Sequence, residues 1–270
     1  MNLGARQLSE VLRGVLSLRA TRGLDLDSEE STLVHAELIR RKTFLHRIYE
    51  HYYREFVFEA ESCPRGLRVE VGSGGGFLDH LLPGVIRTDI RHGARVDLLA
   101  SADALPIRAG SVSCIFGLDV LHHMRSPLHF LKECARVLVQ DGRLVLIEPF
   151  VSPCSRIIYR YLHHEDFRPD REEWGQDSAG VLSNADAALS WVVLVRDRHR
   201  LEHLVPDLVF EKLRPHTISL YLLSGGLTFP ALAPAALYPW VARLENALPL
   251  EAHRLLGSMM TVVMRRGRPK

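Results

Sequence analysis

A doubly wound α/β fold follows from two observations. From residue 67 to residue 148 short apolar runs alternate with amphipathic stretches, and the first of those runs ends in a glycine-rich loop that opens onto a helix. Apolar runs of this length, bounded by turns and joined by helical segments, build a parallel sheet covered on both faces. Ligands of such sheets bind at the carboxyl ends of the strands.

The elements follow in order. Residues 30–60 place Leu33, Leu38, Phe44, Leu45, Ile48 and Tyr52 near a period of 3.6, which predicts amphipathic helix packed over the ligand face. Strands are expected near 68–71, 86–89, 96–99, 112–117 and 143–148, with helices near 76–82 and 127–138. Residues 151–204 read as helical and irregular, with an apolar run at Trp191–Val195. Val209–Leu213 and Met259–Arg265 read as two late strands, the second beginning Met-Met-Thr-Val-Val-Met. No internal repeat or low-complexity tract interrupts this order.

The loop carries the chemistry. Residues 69–77 read Val-Glu-Val-Gly-Ser-Gly-Gly-Gly-Phe, so four glycines fall within five positions after an apolar strand. Glycine lets the backbone turn sharply and lets a ligand lie against it, and free N–H groups face outward where the helix begins. A dinucleotide fingerprint needs a third glycine at the position of Phe77, and a P-loop needs a lysine after Gly76; neither is present. Glu70 ends the strand, where its charge would repel a pyrophosphate but suits a cationic amino-acid group. S-adenosyl-L-methionine (SAM) has an ammonium, a sulfonium and no phosphate, and the loop reads best as its site.

From this loop onward the chain resembles the class I SAM-dependent methyltransferases over about 80 residues. Glu70-Val-Gly-Ser-Gly-Gly-Gly76 is similar to the family's E-x-G-x-G-x-G motif. Ile86-Arg-Thr-Asp-Ile90 resembles its second strand, Asp103-Ala-Leu-Pro-Ile107 a shortened D-A-x-x-L-P-F segment, and Ser113–Met124 the fourth strand with its L-H-H segment. Arg136–Pro149 resembles R-V-L-x-P-G-G-x-L-x-x-x-E-P, with Gln140-Asp141 replacing Pro-Gly. The resemblance implies a Rossmann-like, mostly parallel seven-stranded sheet, here with helical cap insertions. It implies that the last two strands form an antiparallel hairpin, which in this chain holds an insertion of about 45 residues. It also implies SAM as cofactor and S-adenosylhomocysteine as product. Glu70, Gly72, Ser73, Gly74 and Gly76 would hold the methionine part, Asp89 with Ile90 the ribose, and Asp103 with Ala104 the adenine, beside Leu118. The same positions have plainer uses: Asp89 could cap a turn and Asp103 could close an Asx-turn.

Three parts are expected: an N-terminal helical cap at 1–60, a SAM-binding core at 61–150, and a third part at 151–270. The third part would hold cap helices, the last two strands (about 207–213 and 259–265) and an apolar cap segment at 215–257. The 270 residues are 47% hydrophobic and 24% charged, with a net charge of only +2, so no basic footprint points to nucleic acid. The cysteines at 63, 114, 134 and 154 lack C-x-x-C spacing and fit a reducing cytoplasm. Arginines at 6 and 13 break any signal-like apolar stretch. Residues 215–242 hold no Asp, Glu, Lys or Arg, a length that would span a bilayer. Their four prolines and Gly225-Gly226 oppose one spanning helix and leave shallow contact with a membrane surface open.

Candidates for acceptor chemistry are His122, His123 and Asp119 after the fourth strand, and His163 and His164 in the polar cluster His163-His164-Glu165-Asp166 after a cap helix at Ser155–Leu162. Histidine can take a proton near neutral pH, although the L-H-H segment also serves packing. No metal site is expected; His163 and His164, adjacent on a helix, would diverge by about 100°, so one ion would rarely take both. The expected activity is methyl transfer to a small or lipid-like, largely hydrophobic acceptor by direct in-line displacement. The alternatives are a SAM-assisted cyclisation or rearrangement, and a non-catalytic SAM-binding protein; oligomeric state is open. A nicotinamide oxidoreductase is disfavoured by Phe77 and by the lack of a Tyr-x-x-x-Lys pair.

Overall fold

The computed structural model describes residues 17–92, 95–161, 163, 165–175 and 185–267. The predicted N-terminal cap therefore lies partly outside the described residues, over 1–16, and so does His164. Seven strands form one sheet: β1 (Leu67–Val71), β2 (Val85–Asp89), β3 (Leu98–Leu99), β4 (Val112–Leu118), β5 (Leu138–Pro149), β6 (Leu208–His216) and β7 (Met259–Arg266). Their order is β3-β2-β1-β4-β5-β7-β6. β7 runs antiparallel between β5 and β6, and the other pairs are parallel. The expected Rossmann-like sheet and its late antiparallel hairpin are both present. The strand order reverses between β1 and β4, and a crevice opens there at the carboxyl ends of both.

Side-chain alternation sorts the core onto two faces. Leu144, Leu146, Met260, Val262 and Met264 face one way, against Phe130 and Leu131 of the helix Pro127–Val137. Val145, Ile147, Met259 and Val263 face the other way, with Phe44, Ile48, Tyr52 and Phe56. That second layer is helical hairpin α1 (Glu29–Arg41) and α2 (Thr43–Glu61). Each fully buried aromatic or aliphatic side chain of α2 contributes on the order of 2 kcal/mol. Ser28 caps α1 by accepting from the Ser31 N–H.

The helical pattern over 30–60 is carried by two helices, with a break at Lys42 where ψ is 90°. The Lys42 ammonium reaches the carbonyls of Phe229, at 2.7 Å, and Gly226. That tertiary tie has no local sequence signal. Leu33, counted on the buried face, is 52% exposed.

The uncharged stretch 215–242 is not one helix. It ends β6, then forms the short helix Leu220–Ser224, a turn at Gly225-Gly226 with φ of 69° and 51°, and the start of the helix Tyr238–Asn246. Among the described residues no helix is long and apolar enough to cross a membrane.

One buried carboxylate anchors this insertion. Glu245 accepts from the N–H groups of Ile218 (2.9 Å), Ser219 (2.6 Å) and Leu220 (3.0 Å), and from the Ser219 hydroxyl (2.7 Å). It satisfies the start of Leu220–Ser224 from the other end of the insertion. Glu245→Ala is expected to lower unfolding free energy by about 3 kcal/mol, read by urea titration. A change within 0.5 kcal/mol would mean that water replaces the carboxylate without loss.

Candidate active site

A cavity of about 520 Å³ sits over the crevice between β1 and β4, roofed by α1, α2 and the insertion between β6 and β7. The glycine loop is one wall. Gly72 and Gly74 have φ of 61° and 46°, which side chains rarely adopt. A Cβ on Gly72 would fall 2.2 Å from Val120 Cγ2, one on Gly75 2.6 Å from the Ala36 nitrogen, and one on Gly76 2.1 Å from the Tyr53 hydroxyl. Those three glycines let the N-terminal helices and the β4 turn press onto the loop. Only Gly74 faces open space, its nearest neighbour for a Cβ being Gly72 O at 3.8 Å.

Asp89, at the end of β2, is buried and accepts from the N–H groups of Gly74 (2.9 Å) and Arg91 (3.0 Å), one on each carboxylate oxygen. Each oxygen keeps a further lone pair for a ligand. Ser73 closes the loop onto β2 through its N–H to Thr88 O at 3.0 Å. Glu70 is buried, and among the described residues its Oε2 has no hydrogen-bond partner. Burial, then the charge of Asp79, pushes its carboxyl up to about 8. A buried carboxylate oxygen with no donor is suited to a cation brought by a ligand.

Ile90, Asp103 and Leu118 line the cavity with these groups. Ala104 does not; it is exposed and closes a turn through its N–H to Ser101 O at 3.1 Å.

The second wall is a histidine–carboxylate cluster after β4. Asp119 has φ of 58°, a strained conformation for a non-glycine residue, and is fixed by its N–H to Ile147 O at 2.8 Å. His122 and His123 follow on a 3₁₀ turn (Leu121–His123). His122 Nδ1 lies 2.9 Å from Glu148 Oε2, and Glu148 Oε1 accepts from the N–H groups of Val120 (2.8 Å) and Leu121 (2.7 Å). Glu165 reaches the same place from the far segment, with His163 Nδ1 3.8 Å from its Oε2. Burial alone would lower the His122 imidazole, but the charges of Glu165, Glu148 and Asp119 hold it well above the usual range. Burial likewise opposes ionisation of Glu165, yet His163 and His122 hold it well below. Partial desolvation within the cavity, opposed by the charge of His122, raises Asp119 to about 7, although its side chain is 39% exposed.

The structure thus brings together Asp119, His122, His123 and His163 as cavity-lining residues. Sequence reasoning gave Glu148 no role and named Glu165 only as part of a polar run. Glu148 is the glutamate of the E-P stretch, and its placement at the carboxyl end of β5, beside the switch point, was the available signal. Glu165 sits in the polar run after the cap helix, but only the fold shows that this run folds back over β4.

A family model described as a methyltransferase domain matches residues 69–146, which span β1 through most of β5. A search of curated proteins finds no match. Among solved structures, a candidate methyltransferase of Bacillus halodurans C-125 is 15% identical, with 80% of this chain and 98% of that chain covered at a TM-score of 0.45. The YcgJ protein of Bacillus subtilis is 16% identical over 82% and 100%, with a TM-score of 0.44. Geranyl diphosphate C-methyltransferase of Streptomyces coelicolor A3(2), solved with Mg²⁺, geranyl diphosphate and S-adenosyl-L-homocysteine, is 16% identical over 82% and 79%, with a TM-score of 0.43. Similarity at that level says nothing of acceptor or chemistry. The motif run in β1–β5 and the matching domain model agree: the chain carries a class I SAM-dependent methyltransferase domain, with SAM as its cofactor.

Proposed function

We propose that the chain transfers a methyl group from SAM to a small or lipid-like, largely hydrophobic acceptor by in-line displacement. The observation that carries this reading is the lining of the cavity. One end is the polar glycine loop, and the other is the apolar insertion, with Leu222, Leu227, Phe229, Pro230 and Leu232. Leu222 and Leu232 line the cavity and are also 40% and 65% exposed. The apolar wall therefore continues onto the outer surface, where Leu237, Trp240, Leu244 and Leu255 stand exposed. Such a face suits a hydrophobic acceptor and shallow contact with a membrane surface. In this reading the enzyme works in the cytoplasm, in keeping with four free cysteines, and the parts at 1–60 and 151–270 serve as caps over the core at 61–150.

SAM supplies an electrophilic methyl on a sulfonium. Glu70 would meet its ammonium, the backbone from Gly72 to Gly76 with Ser73 would cradle its methionine part, Asp89 and Ile90 would hold the ribose, and Asp103 and Leu118 would border the adenine. Asp119, His122 and His123 stand where the acceptor would enter. The roofing helices exclude water, so orientation and desolvation supply much of the rate.

The test is product mass after incubation with SAM and an organic-phase cell extract, against an aqueous extract. A methyl gain confined to organic-phase products supports the reading. Methylation of polar products only overturns the acceptor class, and a product without added methyl points to a non-methylating SAM-assisted reaction.

Glu70 gives a proton-linked prediction. With its carboxyl at about 8, Glu70 is mainly protonated at pH 7 in the ligand-free protein. Its raised value contributes stability that is complete below the unfolded value near 4.5 and lost as pH rises through about 8. Binding of an ammonium favours the ionised form, so SAM binding at pH 7 should release most of one proton. Calorimetry in buffers of differing ionisation enthalpy reads this number, and Glu70→Gln should bring it near zero. Equal release in both proteins would place the ammonium elsewhere.

A further inference from the structure

His122 and His123 leave their turn with ring centroids only 4.1 Å apart. On a regular helix, neighbours would diverge by about 100°, yet here both present Nε2 to one carboxylate. His122 Nε2 is 3.4 Å from Glu165 Oε2, His123 Nε2 is 3.8 Å from Glu165 Oε1, and Asp119 Oδ1 is 3.9 Å from His122 Nε2. One ligand atom from each of His122, His123 and Glu165 lies within 4.8 Å of the other two. The His122–Glu165 contact is a long hydrogen bond within an ion pair, and the other two separations lie beyond hydrogen-bond range. The two separations to Glu165 are those expected of donors that share one ion, since two ligands each about 2.1 Å from a tetrahedral centre lie about 3.4 Å apart.

We infer that this end of the cavity binds a divalent transition-metal ion of the Zn²⁺ type through His122 Nε2, His123 Nε2 and the Glu165 carboxylate. This departs from the sequence expectation of no metal, whose stated ground was the divergence of His163 and His164 on a helix. At His122 and His123 the rings lie only 4.1 Å apart and both approach Glu165, so that divergence does not keep them from one ion. The support behind the donors has the form metal sites use: Glu148 accepts from His122 Nδ1–H at 2.9 Å and is itself held by two backbone N–H groups, so the tautomer with Nε2 as donor is fixed. Two imidazoles with one carboxylate favour Zn²⁺, Fe²⁺ or Co²⁺ over Mg²⁺. The ion would lie beside the glycine loop, because Val120 packs directly on Gly72. A coordination position open to the cavity would take an oxygen of the acceptor; that role, unlike the ion binding itself, rests on the methyl-transfer reading.

The experiment uses the full chain without a histidine tag, stripped with chelator and dialysed against Zn²⁺ or, separately, Co²⁺. One equivalent of Zn²⁺ per chain is expected, with visible Co²⁺ absorption of low-coordinate type. His123→Ala and Glu165→Gln should each weaken binding at least tenfold, whereas exposed His199→Ala should leave it unchanged. Circular dichroism melts identify variants that remain folded. Sub-stoichiometric metal in the folded wild type, or equal metal retention in His123→Ala and Glu165→Gln, would overturn the site. SAM titration of the same samples keeps the two readings apart: metal bound without SAM binding removes the cofactor assignment alone, and SAM binding without metal removes this site alone.

Discussion

Gly74→Arg is expected to weaken SAM binding at least 100-fold, about 2.7 kcal/mol, while lowering the melting temperature by only a few degrees. The four loop glycines differ in what a side chain would meet. At Gly72, Gly75 and Gly76 a Cβ would strike Val120, Ala36 or Tyr53 at 2.2, 2.6 and 2.1 Å, so substitution there attacks the fold. At Gly74 a Cβ meets nothing nearer than 3.8 Å, and the cost to the fold is mainly the left-handed φ of 46°, on the order of 1 kcal/mol. The arginine then projects into the cavity and sets its charge near the place of a sulfonium. Gly75→Ala should show the opposite pattern, with a large loss of stability and SAM affinity retained in whatever fraction stays folded. Calorimetric titration and thermal melts on both variants test the contrast. Wild-type affinity in Gly74→Arg would remove the loop from the cofactor site.

That contrast marks where the sequence was legible. The strands of the core are continuous apolar runs ending at turns, and the loop between β1 and the next helix has a composition that few other structures require. Those signals are local, and β1, β2, β4, β5 and β7 lie within a few residues of their expected positions. β5 begins at Leu138 rather than near 143, because Asp141 adopts a φ of 63° and carries Gln140-Asp141-Gly142 through an irregular stretch of strand that reads as a turn. The break at Lys42 depends on carbonyls nearly 190 residues away. The acceptor end was less legible for the same reason. His122 and Asp119 could be named from their place after β4, but Glu148 and Glu165 join them only through the sheet order and a returning segment.

Glu148 carries the largest expected effect on stability. It is fully buried, and its two oxygens serve three groups: the Val120 and Leu121 N–H groups at 2.8 and 2.7 Å, and His122 Nδ1 at 2.9 Å. Glu148→Ala strands two backbone donors and an imidazole N–H in a place that the packed β4–β5 end closes to water. Removal of one partner from a buried charged pair costs about 3–5 kcal/mol, and a loss near 4 kcal/mol in urea unfolding is expected. Glu148→Gln keeps the shape and an oxygen for the backbone donors, so most of that stability should return. Its amide, however, donates toward His122 Nδ1 and favours the tautomer that carries the proton on Nε2. An Nε2–H cannot coordinate a metal, and it alters what the imidazole offers an acceptor. The glutamine variant should therefore fold and bind SAM while metal affinity falls about 10- to 100-fold. If alanine and glutamine lose stability equally, the carboxylate serves the fold through its charge alone; if glutamine restores both stability and metal binding, the tautomer of His122 is set by something other than Glu148.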